Sequence, residues 1–299
     1  MPDLSTATSP LHFPSLRSMV IRHPAAAFLV LVYGTITVLP LVPWLTEPGL
    51  LPGGATLHGY AENILGAALP AFVVTAIISG RDGVGELARR CVRWRVPLRW
   101  YAIALLAPPV VLVVTVAALY GPVPLRSLAQ HWPLLVTSFL PALVVMVVFN
   151  SLAEEAGWTG FLFARLQDRH GPMRAALVTT AFFWLFHMPG FLLETGSWAL
   201  TAEVLGLLLL PHLASRLIVG WLYNASGSSV LIAGLFHAMH NVIVNPTGLG
   251  VAVLGLQQID VLAIMSGLVI ITGVIVTVAT RTRLGLPSSA DRGQLSPAP

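Results

Sequence analysis

The chain has 299 residues, of which 56% are hydrophobic and 9% charged, and its mean hydropathy is +0.82. Soluble domains carry charge on about a quarter of their residues, so this composition excludes a soluble fold and requires an all-α, polytopic membrane protein. Sixteen basic residues, all of them arginine, face twelve acidic ones for a net charge of +4, and their clustering between apolar runs is the positive-inside pattern, which excludes nucleic acid as the reason for the charge.

In chain order, residues 1–23 form a Ser/Thr/Pro-rich N-terminal tail, expected on the cytoplasmic side, with an interfacial turn near 13–20. Arg17, Arg22 and His23 precede the first apolar run, which lacks a small-residue cleavage site and is therefore expected to be retained as a helix. A span needs about 20 apolar residues. Windows of that length fall at 24–45, 59–79, 100–120, 132–152, 174–193, 199–223, 228–246 and 258–280. About eight crossings put both termini on one face. Arg17 and Arg22, the group from Arg81 to Arg99, then Arg165, Arg169, Arg174, Arg281, Arg283 and Arg292 all fall on that face, which is expected to be cytoplasmic. Arg126 lies in an opposite loop and Arg216 inside a span.

Residues 83–99, with Trp94 and Trp100 flanking arginines, suit a basic amphipathic segment at the lipid interface. Cys91 is the single cysteine, so no disulfide framework or cysteine metal cage is expected. The membrane domain is expected over 24–283, with its chemistry within 132–246, and residues 284–299 as a disordered Ser/Pro/Gly tail.

Glu154 and Glu155 follow directly on the apolar run from Trp132 to Ser151. A charged group at the bilayer centre costs about 2.5–3.5 kcal/mol even on lenient scales, so an embedded carboxylate pair points to function. If the helix continues to Gln167-Asp168-Arg169, Glu154 lies about 20 Å inside that end. His187 lies at a similar depth of about 20 Å, and His237 about 14 Å, each measured from the same face at the helical rise. Three spans thus bring titratable groups to comparable depth. Neighbouring Glu154 and Glu155 point about 100° apart, whereas Asn241 shares a helical face with His237. Phe183 is expected to pack beneath His187, and His240 and His212 to act as packing or supporting groups. A carboxylate beside imidazoles in a hydrated pocket can activate water, alone or with a metal.

Glu154-Glu155-Ala156-Gly157-Trp158-Thr159-Gly160-Phe161 resembles the first motif, Glu-Glu-x-x-x-Arg, of the CPBP family of intramembrane proteases, which includes the CAAX prenyl endopeptidases and bacteriocin-processing or self-immunity proteins. Phe183-x-x-x-His187 is similar to the second motif and His237-x-x-x-Asn241 to the third. The ordered set, spanning roughly 90–245, implies a membrane endopeptidase that hydrolyses a peptide bond near the C-terminus of a peptide or protein substrate. By carry-over, Glu154 would activate water with help from His187. His237 and Asn241 would stabilise the oxyanion or, with His187 and Glu154, hold Zn2+ or another divalent metal; a metal-free glutamate mechanism is the alternative. Glu155 would complete the catalytic set. The substrate is expected at the lipid bilayer, with no nucleic acid partner, and the composition suggests a bacterial cell membrane.

Thr159 stands where the family has arginine. An embedded Glu155 then needs another counterion, and Arg216 is the expected source. The same departure admits a second reading, a catalytically silent relative acting in binding or immunity. A proton-coupled transporter is a third, but the chain lacks the corresponding halves such folds show.

Overall fold

The computed structural model describes residues 15–42 and 57–286, and every regular element among them is helical. The first helix, α1 (Leu16–Arg22), occupies the stretch expected to be an interfacial turn, and Ser15 caps it by accepting from the amide of Ser18. Seven helices are long and apolar enough to cross a membrane: α2 (Pro24–Leu41), α3 (His58–Cys91), α4 (Leu98–Tyr120), α6 (Leu135–His170), the run Pro172–Thr195, α9 (Trp198–Ala225) and α11 (Gln258–Ala279). Short α5 (Val123–His131) follows α4. The run Pro172–Thr195 divides at His187 into α7 (Pro172–Phe186) and α8 (Met188–Thr195). An eighth apolar helix, α10 (Val230–Val244), has 15 residues. The chain is a multi-pass, all-α membrane protein.

Among the described residues, seven of the eight predicted windows fall on helices long enough to span and the window 228–246 on the shorter α10, and the fourth window shows a further informative difference. The fourth was expected to stop at 152, but α6 continues as one helix to His170, where Gly171 at φ 78° ends it. Two carboxylates interrupt hydropathy without interrupting the helix, so Glu154 and Glu155 lie within a span and not at its end. Much of α6 is wound in π-type turns, including 146–151 and 156–163, which flank the two glutamates. Such turns recur at functional sites because they re-aim side chains within a helix.

The segment expected to lie at the interface begins with a backbone break. Gly80, at φ 59° and ψ −154°, interrupts α3, and Arg81–Cys91 continue as an amphipathic stretch beyond it. A residue with a Cβ avoids this conformation, so glycine is the physical reason the break falls there. The loop after α3 is tied to the start of α10, because Arg93 Nη1 donates to Gly227 O (2.7 Å) and Ser229 Oγ donates to Arg93 O (2.8 Å).

Helix packing uses small residues as membrane bundles do. A Cβ built on Gly157 would come within 2.6 Å of Ala67 O, so α3 and α6 touch backbone to backbone two residues from Glu155. Around this contact Phe28, Trp158, Phe161, Phe183 and Phe186 form a buried aromatic cluster. Trp158 sits edge-on to Phe28 (5.6 Å), Phe183 (5.6 Å) and Phe186 (5.4 Å). A second cluster joins α9 and α10, and a third joins α4, α10 and α11. Val30, Val114, Val144, Leu207 and Val278 point outward, where lipid is the natural solvent. Apolar packing extends to Leu284, which is fully buried and accepts from Asn224 Nδ2 (2.9 Å). The ordered fold therefore runs past residue 283, and the remainder of the expected tail lies outside the described residues.

Candidate active site

Glu155 is fully buried, and its carboxylate is saturated. Arg216 grips it with both terminal nitrogens, Nη1 to Oε2 at 3.0 Å and Nη2 to Oε1 at 2.5 Å. The Thr159 hydroxyl donates to Oε2, and His237 Nδ1 donates to Oε1 at 2.8 Å. Arg216 is 2% exposed, and its guanidinium also lies over the Phe183 ring at 4.1 Å. A bidentate arginine–carboxylate pair with its remaining lone pairs satisfied is the arrangement in which a buried ion pair survives desolvation. The counterion expected from α9 is thus in place, and Thr159, at the position of the missing arginine, contributes a hydrogen bond instead of a charge.

Glu154 is also buried, at 3% exposure, but its surroundings differ. Its Oε2 has no hydrogen-bond partner, and its electrostatic neighbours are His237, Glu155 and Arg216. The expected divergence of the two glutamates is realised: one carboxylate is consumed by structure, and the other keeps an oxygen free.

The imidazoles are oriented by backbone. His187 Nδ1 donates to Phe183 O (2.8 Å) from the junction of α7 and α8. A carbonyl can only accept, so Nδ1 carries the proton and Nε2 presents a lone pair. Pro189 at the start of α8 removes an amide donor there and places the helix break beside His187. Phe183 packs under His187 (4.7 Å between ring centroids), as expected, and also contacts His237 (6.0 Å). Spans α6, α7, α9 and α10 thus converge on Phe183 and Glu155. Asn241 follows one turn after His237 on the same helix and is half-buried. His240 turns elsewhere and lines an apolar crevice with Ile103, Trp221, Phe236 and Met265.

His212 lies closer to the chemistry than the sequence suggested. Its ring is 5.0 Å from that of His187, and its Nδ1 donates to Leu208 O (2.7 Å), so it too presents Nε2. The signal was present: His212 lies one helical turn before Arg216. Among the described residues, no three His, Cys, Asp or Glu side chains converge as a metal-ligand set. Glu155 accepts from both Arg216 and His237, which fixes His237 Nδ1 and leaves its Nε2 uncommitted.

Residues 136–243 match the family model described as Type II CAAX prenyl endopeptidase Rce1-like. Over this segment the chain is similar to the Rce1-like family. The matched segment contains the two glutamates, His187, Arg216, His237 and Asn241, so the family region and the geometric cluster coincide. The CAAX prenyl protease 2 of Methanococcus maripaludis is 28% identical over 109 residues, covering 35% of this chain and 40% of that protein. The chain therefore spans well under two thirds of the length of this relative.

Proposed function

We propose that the protein is an intramembrane endopeptidase in which Glu154 activates the hydrolytic water. The observation that carries this reading is the asymmetry of the two buried glutamates: Glu155 is saturated by Arg216, Thr159 and His237, while Glu154 keeps an unpartnered Oε2 beside them. A buried carboxylate oxygen with a vacant lone pair can accept the proton of a water attacking a carbonyl. Glu155 serves as the fixed charge that orients His237 through Nδ1; when both ring nitrogens carry a proton, His237 Nε2–H and the Asn241 amide can donate to the oxyanion. His187 Nε2 accepts from the same water or from the substrate.

In this reading each step is carried by side chains of this chain. The Arg216–Glu155 pair also favours activity over the silent reading, since the charge lost at position 159 is restored from another helix. In this reading the substrate is a peptide or protein held at the bilayer and cut near its C-terminus. The arginine-rich face, and with it both termini, is cytoplasmic by the positive-inside rule.

Turnover of a peptide library by purified protein in lipid nanodiscs tests the reading. Cleavage by the wild type that falls at least 100-fold in Glu154→Gln, in the range general-base removal produces, is the expected result. A folded wild type that cleaves nothing overturns it.

A further inference from the structure

Outside the family-matched segment, α3 carries a second buried acid and an imidazole. His58 and Glu62 are one helical turn apart, 4% and 7% exposed, with His58 Nε2 lying 3.7 Å from Glu62 Oε2. That separation is longer than a hydrogen bond. Glu62 Oε1 and both His58 ring nitrogens lack partners, although all are buried. Ionisable groups within a span are costly unless they face a polar chamber. The packing shows which segments Glu62 borders. Segment 62–68 lies against 152–155, and Glu62 has Glu154 as an electrostatic neighbour. A Cβ on Gly190 would lie 3.7 Å from Glu62 Oε2, so the same carboxylate borders α8 just after His187. Glu62 therefore stands between the helix bearing Glu154 and the helix that follows His187.

Two neighbouring carboxyls repel if both are charged, and sharing one proton between them relieves the repulsion. We propose that Glu62 is a further catalytic residue, the general acid that delivers a proton to the leaving amine, with His58 positioning it. The inference rests on the endopeptidase reading above. Water adds to the scissile carbonyl as Glu154 takes its proton, forming the C–O bond. The tetrahedral intermediate collapses with C–N cleavage as the Glu62 carboxyl protonates the departing nitrogen. Transfer of the proton from Glu154 to Glu62 then restores both groups, and the net reaction consumes one water and one peptide bond.

An amide nitrogen leaves only when protonated, whereas a thiolate leaves unaided. The test therefore compares a peptide that the wild type cleaves with its thioester analogue, in which sulfur replaces the scissile N–H. Glu62→Gln is expected to lower kcat on the amide about 100-fold or more, with KM unchanged and thioester turnover retained. Glu154→Gln loses both substrates. Equal rates of Glu62→Gln and wild type on the amide overturn the proposal, as does an equal loss on both substrates. Should Glu62→Gln fail to assemble, Glu62→Asp keeps the acid one methylene short. Reduced amide turnover with full thioester turnover supports the role there, and a parallel loss overturns it. A folded wild type that is inert toward both substrates instead removes the endopeptidase reading itself.

Discussion

Arg216 and Glu155, 61 residues apart in sequence, meet in a two-pronged ion pair within the membrane core of the fold. Removing one partner of such a pair leaves a buried charge uncompensated, at a cost of about 3–5 kcal/mol. Arg216→Ala is expected to lower thermal stability by that order and to abolish turnover, since Glu155 also orients His237. Introducing Thr159→Arg into Arg216→Ala places the cation where the related motif has it. The double variant is expected to regain stability relative to the single one, measured by thermal unfolding in nanodiscs. No recovery would show that the stacking of Arg216 on Phe183, and not its charge alone, is what the site requires.

The two adjacent glutamates should fail in different ways. Glu154→Gln is expected to keep the wild-type melting temperature while losing turnover, because no hydrogen bond to its Oε2 is broken. Glu155→Gln is expected to unfold at lower temperature, because it leaves Arg216 buried beside a neutral amide. Paired thermal melts and initial rates on both variants distinguish them, and identical profiles would contradict the division of labour.

Gly157 marks where α3 and α6 touch. Ala67 O would sit 2.6 Å from an added Cβ, and it is a backbone atom that cannot rotate away. Gly157→Ala is expected to destabilise by about 1–3 kcal/mol, the range for overpacking. It should also reduce turnover, because the displaced helix carries Glu154. A variant with unchanged melting and unchanged rate would mean that the contact is not needed.

Exhaustive dialysis against a chelator is expected to leave turnover unchanged, because Glu155 and His237 spend their facing atoms on each other and on Arg216. Loss of activity that zinc restores would assign the free Nε2 atoms of His187 and His212 to a metal.

The spans and the three motifs were legible because hydropathy and motif spacing are local properties. The counterion for Glu155 was legible for a different reason: a single arginine lies inside a span, and an embedded carboxylate without its usual partner has few other choices. What local reading missed was non-local or masked. The continuation of α6 past residue 152 escaped the hydropathy window, which two carboxylates depress, and entered the sequence reading only through the depth reckoned for Glu154 with the helix carried on to 167–169. His212 gained its place through a helix crossing, and its position one turn before Arg216 was the available signal. His58 and Glu62 lie on a recognised span at an i,i+4 spacing, and two ionisable residues on one apolar face were the available signal.

His237 stands on α10, whose 15 residues rise about 22 Å, short of the roughly 30 Å hydrocarbon layer. One end is pinned where Ser229 donates to Arg93 O, and at the other the Gln258 amide donates to the Val244 carbonyl at 2.6 Å. Hydrogen bonds to neighbouring segments thus hold both ends of the helix, and its elevation follows from these two clasps. Alterations at Ser229 or Gln258, far from any reacting atom, would raise or lower the imidazole and so look like damage to the reaction centre.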